Sequence, residues 1–267
     1  MKASRIGAIM LRQFYLYRGS PQRVLPMFAW VAIDIVLWGF ISRYLNAVSR
    51  PGFNFIAALL GAVLLWDFLT RVMQGVTTAF FEEVWSRNFL NLFATPLKTS
   101  EYLTGLVGIT VVNSAVALVV MIALAGLAFG LSFLAYGAAL APFLMVLFLT
   151  GIALGIAAAA LVLRLGPASE WLIWPIPSLL SPFVGVFYPQ SVLPLWMQVI
   201  GRALPPSYVF EGMRAVVQGK PAPWGDLALG GAMAVGYVVL ACLFFAAIYR
   251  FALRTGLIAR YSAETVT

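Results

Sequence analysis

The 267-residue sequence has no histidine, and Cys242 is its only cysteine. An intrachain disulfide is therefore excluded, and a zinc site or a histidine-based triad lacks its ligands. Cys242 sits in an apolar run and reads as a packing residue. Charge is scarce too: 10% of residues are Asp, Glu, Lys or Arg, against about 25% in a soluble domain. No G-x-x-x-x-G-K-[ST] segment occurs to cradle nucleotide phosphates. No series of alternating ten-residue segments suggests a transmembrane barrel. The opening MKASRIGAIMLRQFYLYRGSPQR has neither a long apolar core nor a small-residue cleavage site, so it is not read as a signal peptide.

Apolar residues are abundant, at 63%, and the mean hydropathy is +0.97. A water-soluble core cannot hide that fraction, so lipid must solvate much of the chain. About 20 apolar residues in a helix cross the hydrocarbon layer. Six such stretches are expected: Val24–Tyr44, Phe55–Phe81, Tyr102–Leu131, Tyr136–Leu163, Trp171–Phe187 and Leu227–Phe251. Pro175, Pro177 and Pro182 interrupt the fifth. The expected class is an all-α integral membrane protein forming one transmembrane domain over residues 1–267.

With the N-terminus inside, eleven Lys and Arg residues fall on the cytoplasmic side and five outside, with Arg71 within a span. That bias places both termini in the cytoplasm. Residues 1–23 mix Arg with Ile, Leu, Phe and Tyr, which suits a helix lying in the inner interface. Gly126-x-x-x-Gly130 and Gly151-x-x-x-Gly155 offer small faces, from which tight packing of the third and fourth spans is expected.

Between spans two and three, residues 82–98 begin with Glu82-Glu83. Trp85, Phe89, Leu92 and Phe93 then recur at helical spacing, while Arg87 falls largely on another face, and Thr95-Pro96 ends the piece. A helix of about ten residues is marginal alone in water, so it must dock on lipid or on a partner. Farther on, residues 188–220 form a proline-rich outer segment. Two apolar pieces, near Leu193–Ala203 and Ser207–Gln218, flank Pro205-Pro206. Each is too short to cross the bilayer, so re-entrant or interfacial helices are expected.

These two segments resemble those of ATP-binding-cassette type-2 exporter permeases. The acid followed by a short helix and Leu92-Phe93-Ala94-Thr95-Pro96-Leu97 is similar to that family's cytoplasmic coupling segment. The run through Pro189, Pro194, Trp196, Pro205, Pro206, Tyr208, Glu211 and Arg214 is similar to its region after the fifth span. The chain departs from the family at Asn88-Phe89, where Gly-Thr is frequent, and at Leu204-Pro205-Pro206, where Asn-Pro-Leu is. The resemblance implies a permease subunit moving an amphipathic, lipid-like, drug-like or lipid-linked glycan cargo. It also implies two copies of a separate ATPase, with ATP and Mg bound there and no cofactor here. A second permease copy, residence in a bacterial inner membrane, and a coupling helix seated on the ATPase follow from it as well.

Ionisable residues inside spans need partners. Asp34 and Arg71 lie at similar depth, roughly 15 Å from the cytoplasmic ends of antiparallel neighbours. Asp67 is one turn from Arg71, so a cluster of Asp34, Asp67 and Arg71 is expected, either as a structural clamp or in cargo or proton passage. Glu211 and Arg214, three apart, are expected to pair on one face. A proton-driven secondary transporter using Asp34 and Asp67 is the alternative function. A membrane-embedded enzyme has little support, because no cluster of catalytic side chains is visible.

Overall fold

The computed structural model describes residues 2–19, 21–48, 54–85, 95 and 97–255, with backbone alone at 17, 21–28, 83–85, 99, 167–168 and 170. Every regular element among them is helical. Helix α1 (Ala3–Arg18) is followed by α2 (Pro21–Val48) and by a π-helical turn, Ile56–Leu60, that runs into α3 (Gly61–Trp85). Next come α4 (Thr99–Phe129), a 3-10 segment (Phe133–Ala139) and α5 (Leu140–Leu165). A 3-10 turn (Pro167–Leu172) precedes the short α6 (Ile176–Val184). Helices α7 (Leu195–Arg202), α8 (Pro205–Val217) and α9 (Trp224–Thr255) complete the chain.

Among the described residues, five stretches are long and apolar enough to cross a membrane: Ala29–Val48, Ile56–Glu82, Ser100–Phe129, Phe133–Leu165 and Trp224–Thr255. They correspond to the expected spans one to four and six. The expected fifth, Trp171–Phe187, is not one helix. Its α-helical part is the nine residues Ile176–Val184, which rise only about 14 Å. Proline at 175, 177 and 182 removes backbone donors and crowds the preceding turn, which is why the helix cannot extend.

The direction of that broken piece follows from its neighbours. Helices α5 and α9 run parallel: Val146 is near Gly231 at one end, and the Arg164 guanidinium lies 5.8 Å from the Phe251 ring centroid at the other. The chain must therefore return the length of the bundle between them. Ile173 and Pro177 share a small cleft with Met73 and Thr77 of α3. Leu180 and Val184 lie beside Trp66 and Leu69, and Phe187 stacks on Trp38 at 5.2 Å. The segment thus climbs antiparallel to α3, from the near end, which holds the N-terminus, to the far end.

Tight packing is centred on α3 and α5. A Cβ at Gly151 would stand 2.8 Å from the Leu69 carbonyl oxygen, and one at Gly155 would stand 2.8 Å from that of Met73. The small face of α5 therefore brings backbone against backbone, as glycine allows. Its partner is the second span rather than the third, correcting the sequence expectation. Gly126 has only the Leu131 carbonyl nearby and Gly130 has nothing within 4 Å. Gly130 instead ends α4 in the left-handed conformation, at φ 67°.

The π-helical turn has a distant cause. The Tyr136 hydroxyl donates to the Ala57 carbonyl at 2.7 Å, and a side chain at Gly61 would occupy the place of that hydroxyl. The widened turn frees a carbonyl that the ordinary helical ladder would engage, and the tyrosine takes it. Tyr136 is itself buried against Phe133 and Phe143.

Candidate functional site

The near end gathers α1, the exit of α3 and the start of α4. Glu82 closes α3 and is buried. The backbone of Glu83 and Trp85 continues the helix, and their side chains lie outside the described residues, as do Arg87, Phe89, Leu92, Phe93 and Pro96. Thr95 is exposed. The two ends of this stretch are anchored differently. On the α3 side stand the buried Phe80 and Phe81, with Phe80 edge-on to Phe245 of α9 at 6.2 Å.

On the α4 side a single carboxylate does the anchoring. Glu101, whose side chain is 1% exposed, accepts from the Lys2 backbone at 2.8 Å, from the Lys98 backbone at 3.1 Å and from the Arg5 guanidinium at 3.1 Å. The Lys98 bond is the reach-back half of a helix cap. The other two bonds hold α1 onto α4. Ile9 then packs where Gly105 leaves room, and Met10 where Gly108 does. Gln13 donates to the Ala79 carbonyl of α3 at 3.4 Å. Leu11, Phe14 and Tyr15 remain exposed on the opposite face, the arrangement of a helix with one side on protein and one on lipid. Sequence reading missed Glu101. Its position three residues after a helix start, with a basic N-terminus to meet, was the available signal.

Deeper in the bundle, the Arg71 Nε donates to the Asp67 Oδ2 at 3.0 Å, with side chains 9% and 17% exposed. Asp34 on α2 is half-buried and within electrostatic range of both. No direct hydrogen bond from Asp34 is present among the described residues. Low dielectric makes such a field consequential without contact.

At the far end, α7 and α8 fold as a pair. Pro205 and Pro206 occupy the first turn of α8 rather than lying between the helices, positions where a missing N–H is harmless. The Ser207 and Tyr208 hydroxyls donate back to the carbonyls of Gly201 and Arg202, at 2.7 and 2.8 Å. The Tyr237 hydroxyl of α9 takes that of Ala203 at 2.6 Å. Glu211 and Arg214 pair at 2.9 Å. Arg214 also donates to the Gly185 carbonyl at 2.8 Å, and Glu211 accepts from the Gln190 backbone at 2.8 Å. The pair therefore ties the exit of the broken segment to α8. Pro189 precedes the short Gln190–Val192 turn, and Pro194 starts α7. Trp196 is 61% exposed on α7, while α8 is largely buried.

A family model described as "ABC-2 family transporter protein" matches residues 39–248. The chain belongs to the ABC-2 transporter family. No curated protein matches it. The matched range of this ABC-2 permease begins within α2 and ends within α9. It is a multi-pass membrane component of a transporter, not a catalytic subunit, and its family implies an ABC ATPase partner in general.

Proposed function

We propose that this ABC-2 permease is the membrane half of an ATP-driven exporter. Two copies of it pair with two ATPase subunits that hold ATP and Mg. The single observation that carries the reading is the family match across residues 39–248. The anchored ends of the 82–98 connection support the place of coupling: buried Glu82 on one side, the three-bond Glu101 cap on the other. Force entering there meets structure that resists it, which a transmitting element requires. The distribution of Lys and Arg supports cytoplasmic termini in a bacterial inner membrane, with the near end facing the cytoplasm. The broken segment then serves as a sixth crossing, and α7–α8 cap the outer end. The cargo is amphipathic, lipid-like, drug-like or a lipid-linked glycan.

The proton-driven alternative has less support, because Asp67 is already held by Arg71 at 3.0 Å. The test is purification from native membranes followed by reconstitution. An ABC ATPase is expected to accompany the permease, and scrambling residues 85–94 is expected to abolish export while the permease still inserts. Export that persists without ATP, or with the scrambled segment, sinks the proposal.

A further inference from the structure

A cavity of about 350 Å³ opens between α3, α5, α9 and the broken segment, within the roughly 300–1,000 Å³ of small-ligand sites. It owes its room to small residues. Helix α5 turns Gly151 and Gly155 toward α3, but Ala153 and Ala157 toward this space, and Ala241 does the same from α9. The shortness of α6 adds the rest, since only Leu180 and Val184 of it reach the wall. The two hydroxyls on the wall are already engaged: Thr150 donates to Val146 at 2.8 Å and Tyr237 to Ala203 at 2.6 Å. No charged side chain lines the space. Water entering it would lose bonds without replacing them, and apolar cavities of this kind stay dry.

The mouth shows what does enter. Leu240 is 59% exposed and Phe244 40% exposed at the rim, midway along α9. At that depth of a membrane-spanning helix the surroundings are hydrocarbon. We propose that this cavity is a lipid site, holding one acyl chain of a bilayer phospholipid. The chain enters between α9 and the broken segment and packs against Trp66 and Ala153. The gain is dispersion contact with walls that would otherwise face a void, since a lipid tail gives up nothing by leaving other lipid tails. The site does not depend on the direction of transport or on the coupling segment.

The experiment uses the full-length permease in bilayers made of phosphatidylglycerol carrying a photoactivatable diazirine midway along one acyl chain, with no cargo or ATP. Crosslinks are mapped by mass spectrometry. Labelling is expected at Ala153, which lines the cavity, is 5% exposed and is out of reach of lipid outside it. Ala157→Phe fills the space and is expected to abolish that labelling. Val239→Phe, on the 52% exposed part of α9, is expected to leave it intact. Label confined to exposed residues such as Leu179 and Leu240 in the wild-type protein overturns the proposal. Crosslinking of the wall to a second copy of the chain overturns it too, as does unchanged Ala153 labelling in A157F. Should A157F not assemble, the wild-type map decides alone.

Discussion

Arg71 stands between one carboxylate that it touches and another that it reaches only through the field. Asp67 is bound at 3.0 Å, whereas Asp34 on α2 has no direct bond among the described residues. The two acids should therefore respond differently to substitution. Arg71→Ala leaves an uncompensated charge in a nearly closed site, which costs about 3–5 kcal/mol. Asp34→Asn is expected to cost under about 1 kcal/mol, near the average for polar contacts between membrane helices. Heating each variant in detergent and measuring the remaining monodisperse fraction orders them; equal losses would refute the pairing. A second residue-scale expectation concerns the π-helical turn. Gly61→Ala forces Tyr136 out of its place and should cost about 1–3 kcal/mol. Tyr136→Phe removes only one hydrogen bond, of about 0.6 kcal/mol in membranes. The same thermal assay separates the two, and a milder G61A than Y136F would refute the geometry. The Tyr136–Ala57 bond was not visible in sequence, because the two residues lie 79 apart, whereas the pairing of Asp67 with Arg71 was, because they stand one helical turn apart.

Individual elements depend on single anchors. Helix α1 is held at its start by Glu101 and along its length by Ile9, Met10 and Gln13. Glu101→Ala removes its own bonds to Lys2 and Arg5 and leaves the packing. Trypsin is then expected to cut after Arg5 faster than in the wild type, with cleavage after the exposed Arg202 at the end of α7 unchanged; identical digestion rates would count against the clamp. At the far end, Arg214→Ala is expected to release the 185–190 stretch from α8. The readout is faster hydrogen exchange confined to that stretch, and unaltered exchange would rule out the tie. The α1 helix and the pair around Pro205 were legible, because amphipathic spacing and proline position are local signals. The broken segment was only half legible. Its prolines forbade a regular helix, but its course along α3 rests on contacts with Trp66 and Met73 that no local pattern encodes.

For the molecule as a whole, composition and run length disclosed the membrane class and five spans, because hydrocarbon thickness leaves a mark of about 20 residues on any sequence. Which spans touch was not disclosed. The Gly151-x-x-x-Gly155 face was recognisable, yet its partner proved to be α3, since a small face says that something approaches and not what. Gly155→Val is expected to separate α3 from α5 and cost at least about 1–3 kcal/mol. Gly126→Val, next to open space, is expected to be nearly silent in the same thermal assay; similar losses would argue against the observed pairing.

Where Gly151 and Gly155 meet the carbonyls of Leu69 and Met73, the branched Val72 and Val76 of α3 seat directly on the two glycines, and no long flexible side chain stands there to slide. The second and fourth spans therefore behave as a single stiff plank. A thrust at the Glu82 end arrives at Trp66 as displacement of the whole plank, not as bending within it. Any give must come from α2 and from the proline-broken climb beside it, the parts that the glycine contacts do not hold.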